Sequence, residues 1–129
     1  MTYVSGFLLA VPEKNKDTYR DMALQAWEIF REYGALSLRE NWGASVPDGK
    51  VTSFGMATKQ EPGEVVVFSW IEWPDRATCE SAWDAMMNDE RMKDMPDMPF
   101  DGKRMMWGGF EPLVDVRAEE PQLPRSAAG

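Results

Sequence analysis

The segment Glu64–Trp73, EVVVFSWIEW, is the strongest β signal in the chain, and it is largely apolar on both faces of the strand it forms. A strand periodicity puts Phe68 and Trp70 on the side of Glu72, and valines, Ile71 and Trp73 on the other. Tyr3–Pro12 repeats the feature. Tyr3, Phe7, Leu9 and Val11 point one way with Ser5, and Val4, Leu8 and Ala10 point the other way with Gly6. A strand that is apolar on both sides must be covered on both sides. Whatever fold forms has to supply two covers.

The remaining elements set the order. Asn15 is a candidate N-cap for a helix whose apolar face is Tyr19, Met22, Ala23, Ala26, Phe30 and Tyr33, with Gly34 as its stop. Ala35–Trp42 reads as a strand with Leu36, Leu38, Glu40 and Trp42 on one face. Val46–Lys50 and Glu61–Gly63 carry turn chemistry, and Thr52–Thr58 between them is expected to continue as strand. Asp75 caps a second helix with Cys79, Ala82, Trp83, Met86 and Met87 on its apolar face. Residues 94–102 form a loop or a short helical turn. Lys103–Val116 holds the last strand, interrupted at Gly108-Gly109 by a bulge or by close approach of another backbone. Residues 117–129 are expected to be a polar tail without regular structure, leaving residues 1–116 as a single domain.

The order is βαββαβ. Right-handed crossovers place both helices on one face of a four-stranded antiparallel sheet, a ferredoxin-like α+β sandwich. Two helices cover one face only. The other would expose more apolar surface than a soluble monomer tolerates. A second copy, sheet against sheet, is the simplest cover, so the expected assembly is a homodimer pairing as a dimeric α/β barrel.

Charge and residue inventory exclude several chemistries. Fourteen Lys and Arg face 22 Asp and Glu, a formal net charge of −8. With no run of three basic residues, neither nucleic acid nor an anionic membrane is an expected partner. The chain has no histidine, so a Ser-His-Asp site and a proximal-His haem are out. The single cysteine, Cys79, makes neither an intrachain disulfide nor a thiolate zinc site. No resident metal or organic cofactor is expected. The N-terminus has no basic region before its apolar run, so a signal peptide is not expected, and the expected compartment is the cytoplasm.

Candidate site residues follow from what is left. Glu40 beside Trp42, and Glu72 beside Trp70, are candidate catalytic carboxylates, because an indole next to a carboxyl raises its pKa toward proton-shuttle range. The plainer reading is that the rings are core or interface and the carboxyls sit at strand ends in water. Arg39, Trp42, Trp70, Arg104 and Trp107 are candidate substrate contacts for a small apolar or anionic ligand. Against this, Arg104 and Lys103 can simply pair with Asp101, Glu72 or Asp48. Met92, Met95 and Met98 have a spacing that can capture Cu(I), or they fill gaps beneath a loop.

Several segments together resemble the YbaA-like family of uncharacterised bacterial proteins (DUF1428). They include Tyr3-Val4-x-Gly6-Phe7, residues 46–52, residues 66–72, Asp89-x-Arg91-Met92, residues 98–105 and Gly108-Gly109-Phe110. The resemblance runs from about Tyr3 to about Asp115. It implies the dimeric α/β barrel superfamily and no particular activity. That superfamily holds cofactor-independent monooxygenases, haem-degrading enzymes, isomerases and binding proteins, and fold does not choose among them. Three functions stay open: a monooxygenase- or isomerase-like enzyme with a pocket in each half of the barrel, a non-catalytic or stress-related small-ligand module, and a purely structural dimer. A polar cavity holding Glu40 or Glu72 with a raised pKa favours the first. A dry apolar cavity favours the second, and no cavity the third.

Overall fold

A computed structural model of the chain describes residues 2–119. Of the expected polar tail, residues 120–129 lie outside the described residues. The elements are β1 (Tyr3–Pro12), α1 (Lys16–Glu32), β2 (Ser37–Trp42), α2 (Phe54–Thr58), β3 (Glu64–Trp73), α3 (Arg76–Met86), α4 (Glu90–Lys93) and β4 (Met106–Phe110). Short 3-10 turns precede α1 and β4. The four strands form one antiparallel sheet in the order β2-β3-β1-β4, the ferredoxin-like arrangement. The two strands that are apolar on both faces are the central pair, and the shorter, more polar β2 forms an edge.

Register assigns each side chain to a face. Tyr3 lies opposite Trp73, Phe7 opposite Ser69 and Leu9 opposite Val67, while Ile71 pairs with Ser5 and Leu38. This face meets α1 and α3. It holds Leu9, Val11, Val67, Ile71 and Trp73, all nearly inaccessible, with Ile29 of α1 and Cys79, Ala82 and Met86 of α3. Each such large apolar side chain contributes about 1.5–3 kcal/mol on burial. Trp83 of α3 meets Phe7, Phe30 and Trp73 edge-on at 5.7–6.3 Å between centroids, a favoured aromatic geometry.

The helix ends follow local chemistry. Asp75 accepts the Thr78 N–H at 2.7 Å and caps α3, as its position predicts. Gly34, at φ +107°, takes the positive φ that ends α1. Asn15 occupies the N-cap position of α1, but its side chain makes no cap bond and instead donates to the Pro99 carbonyl at 2.9 Å. That bond ties the start of α1 to the loop before β4.

Three sequence expectations are corrected. Thr52–Thr58 is not strand; it contains the short helix α2. Ser53 Oγ accepts the Met56 N–H at 3.0 Å, and the buried Thr58 hydroxyl donates to the Phe54 carbonyl at 3.0 Å. These local side-chain bonds satisfy the backbone where no neighbouring strand is available. The last strand spans Met106–Phe110 rather than Lys103–Val116, because Asp101 accepts the Lys103 N–H at 3.0 Å and starts a 3-10 turn. There is no bulge at Gly108-Gly109, since pairing with β1 runs unbroken from Phe110 to Met106. Glycine is required there by a side chain: a Cβ on Gly109 would lie 1.9 Å from Tyr3 Oη.

The second sheet face carries Val4, Gly6 and Leu8 of β1, Phe68, Trp70 and Glu72 of β3, Arg39 and Asn41 of β2, and Met106 and Phe110 of β4. Helix α2 packs on β1 and β3 from this side, with Phe54 6.0 Å from Phe68. Ala10 and Val66 are buried, but Phe68 remains 47% exposed and Phe110 59%. Helix α2 therefore covers the face only in part.

Candidate functional site

Two cavities among the described residues lie on the helix face of the sheet. The larger, of about 560 Å³, lies between α1, α3 and the β1–β4 edge, and the segment carrying Met92, Met95 and Met98 forms one of its walls. Its walls are mainly rings and thioethers: Phe7, Phe30, Trp83 and Trp107, with Met22 and Met105. Met92 and Met95 also pack against the core beneath them. The three methionines singled out by their spacing thus share one wall.

Polar atoms in this cavity are few, and those at its floor are already engaged. Ser5 Oγ accepts the Trp73 Nε1–H at 3.0 Å and lies 3.4 Å from Cys79 Sγ. No buried side-chain nitrogen or oxygen among the described residues lacks a hydrogen-bond partner. Tyr3 and Glu80 add their polar groups to the lining. The floor therefore presents apolar surface and occupied hydrogen bonds, an arrangement that accepts shape and polarizability rather than charge.

The smaller cavity, of about 320 Å³, lies between the first turns of α1 and strand β2. The alternation of β2 turns Leu38, Glu40 and Trp42 to this side, and Tyr19 comes from α1. Tyr19 Oη donates to Glu40 Oε1 at 2.7 Å. Burial pushes the Glu40 carboxyl above its ordinary pKa, and hydrogen bonds from Tyr19 and Ser69 pull the other way without cancelling it. Burial likewise raises the Tyr19 phenol, reinforced by the charge and hydrogen bond of Glu40. The Lys16 ammonium sits 5.3 Å from the centre of the Trp42 ring, within cation–π range.

The candidate residues read from sequence fall in four places. Glu40 and Trp42 share the smaller cavity, and Trp107 lines the larger one. Arg39, Trp70 and Glu72 lie on the opposite sheet face. Glu40 and Glu72 are thus separated by the sheet: Glu40 pairs with Ser69, and Glu72 with Ser37 and Val4, so no one molecule on one face reaches both. Arg104 stands apart from both cavities. Its guanidinium donates to Glu64 at 2.7 and 2.8 Å, to Asp101 at 3.0 Å and to the Lys59 carbonyl at 2.9 Å. The Glu64 carboxyl is held below its usual range chiefly by that guanidinium. Arg104 is an internal tie between the 3-10 turn before β4 and the start of β3.

Three contributors escaped the sequence reading. Tyr19 looks like an ordinary core position at helical spacing. Lys16 looks like solvated surface, and Met22 like helix-face packing. Only the approach of α1 to β2 and of the 92–98 segment to both helices gives them a site. No group of three or more His, Cys, Asp or Glu among the described residues is arranged to hold a metal ion.

The family described as "Protein of unknown function (DUF1428)" matches residues 2–102. The uncharacterised protein YbaA of Escherichia coli K12 is 54% identical over 116 residues, covering 89% of this chain and 99% of that protein. YbaA of Shigella flexneri matches to the same extent. Among solved structures, a dimeric ferredoxin-like protein from an uncultured marine organism is similar with a TM-score of 0.50. That match covers 91% of this chain and 98% of the other at 12% identity, so it speaks to fold alone.

Proposed function

We propose, for a chain that belongs to the DUF1428 family of proteins of unknown function, that it binds a small apolar molecule in the larger cavity of each protomer of a homodimer. The observation that carries this reading is the cavity itself. Its volume of about 560 Å³ lies within the range of ordinary small-molecule sites, roughly 300–1,000 Å³. Aromatic edges and adaptable thioethers line it, and neither Glu40 nor Glu72 does. The carboxylate residue in the lining, Glu80, is engaged by Arg76 Nε at 2.7 Å, so binding is favoured over catalysis.

The homodimer reading rests on the second sheet face. Phe68, Met106 and Phe110 are each more than two-fifths exposed on it, in a patch that α2 leaves uncovered. The similar marine protein is described as dimeric. Pairing the open faces of two copies would conceal these side chains and leave both cavities accessible on the outside of the barrel.

The test uses the neutral fluorophore N-phenyl-1-naphthylamine, chosen because the chain is strongly anionic. Saturable binding at one probe per protomer is expected. Met98→Trp and Ala26→Phe, which fill the cavity from its methionine wall and from α1, should each weaken binding by about tenfold or more. Absence of saturable binding, or undiminished binding by both folded variants, overturns the proposal.

A further inference from the structure

The smaller cavity combines three features that together suit a small cation. One is an indole face, Trp42, that already carries a cation. The second is a carboxylate, Glu40, held in place by the Tyr19 hydroxyl at 2.7 Å. The third is free space of about 320 Å³ beside them, well beyond what a lysine ammonium fills. We infer that this cavity is a binding site for a small organic ammonium ion, and that the Lys16 ammonium on Trp42 is its tethered occupant in the free protein.

The charges facing the space support that ligand class. Arg20 and Asp17 also border it, but they pair with each other at 3.4 Å, and Arg20 pairs again with Asp21 at 3.1 Å. That leaves Lys16 and Glu40. Lys16 is exposed and makes no ion pair among the described residues, so only its contact with the ring holds it there. If its flexible stem swings out, the cavity presents one π face and one carboxylate, the complement of a single positive charge. Leu38 and Val67 supply apolar wall. An alkylated ammonium satisfies both the wall and the charge. A bare metal ion would instead need several oxygen ligands that the cavity lacks. The net charge of −8 raises the local concentration of any cation near the surface.

This site is independent of the larger cavity, and the test separates the two. The probe is choline chloride, titrated at constant ionic strength and followed by the indole N–H signals of the 6 tryptophans, with Trp42 assigned from Trp42→Phe. The Trp42 signal is expected to move with a dissociation constant of about 1–10 mM. Lys16→Met keeps the apolar stem but removes the competitor, and should tighten choline binding about threefold or more. Glu40→Gln keeps the shape but removes the charge, and should weaken it about tenfold. The neutral isostere 3,3-dimethyl-1-butanol should leave Trp42 unmoved. The inference is overturned if Trp42 does not respond in Lys16→Met at about 50 mM choline, well above the expected range. It also fails if Lys16→Met binds no better than the parent, or if the neutral isostere binds as well as choline.

Discussion

Ser5→Ala probes the floor of the larger cavity. The Trp73 indole is wholly buried, and its N–H has Ser5 Oγ, at 3.0 Å, as its partner. The same oxygen lies 3.4 Å from Cys79 Sγ, a weaker bond. Deleting the hydroxyl leaves a buried donor unsatisfied, which costs about 1–3 kcal/mol. The lost volume is one atom and adds little. For a chain of this length a loss of about 2 kcal/mol lowers Tm by roughly 5–10 °C. Urea unfolding, read as a shift in midpoint at constant slope, measures it. A double-mutant cycle with Trp73→Phe isolates the bond: in that background Ser5→Ala should cost less, with a coupling of about 1 kcal/mol. A loss in Ser5→Ala below about 0.5 kcal/mol, or strict additivity in the cycle, would refute the reasoning. Either result would mean that water entering from the cavity serves the indole as well as the serine does.

Two further outcomes follow from the same structure. Phe68→Asp places a carboxylate in the centre of the open sheet face, and sedimentation at micromolar concentration should show the dimer replaced by a folded monomer; a monomeric parent would defeat the assembly proposed here. Asp89 accepts hydrogen bonds from Arg91 and, at 2.7 Å, from Tyr33, and these hold its carboxyl well below the usual carboxylate range. Its contribution to stability is therefore full above the unfolded value, about 3.9, and is lost as pH falls below it. Asp89→Asn should flatten the acid limb of a plot of urea midpoint against pH between about 5 and 2, and an unchanged limb would count against the linkage.

Periodicity reached the elements whose signals are local and repeated. β1 and β3 are legible because each is a run of ten residues, largely apolar on both faces and bounded by turn residues, α1 because its apolar positions recur at helical spacing, and the start of α3 because Asp75 can only serve the amides that follow it. Thr52–Thr58 holds a short helix where a strand is expected, because a strand pattern of so few residues cannot be told from a capped helical turn. The end of β4 was overextended because apolar residues after Phe110 look like strand but have no partner on β1. At the candidate site, Glu40 beside Trp42 was visible as a neighbouring pair on one strand face. Its separation from Glu72 was not, since that depends on which residue of β3 lies opposite each residue of β2.

The ferredoxin-like order, the demand for cover on both sheet faces and the absence of histidine chemistry all follow from composition, from the order of the segments and from strands apolar on both sides, which are read directly along the chain. The cavities do not. They arise where α1, α3 and the 92–98 segment fail to close completely over the sheet, and where a lysine from one element comes to rest on a tryptophan from another. Such places are set by packing between residues distant in sequence, and no local pattern encodes them.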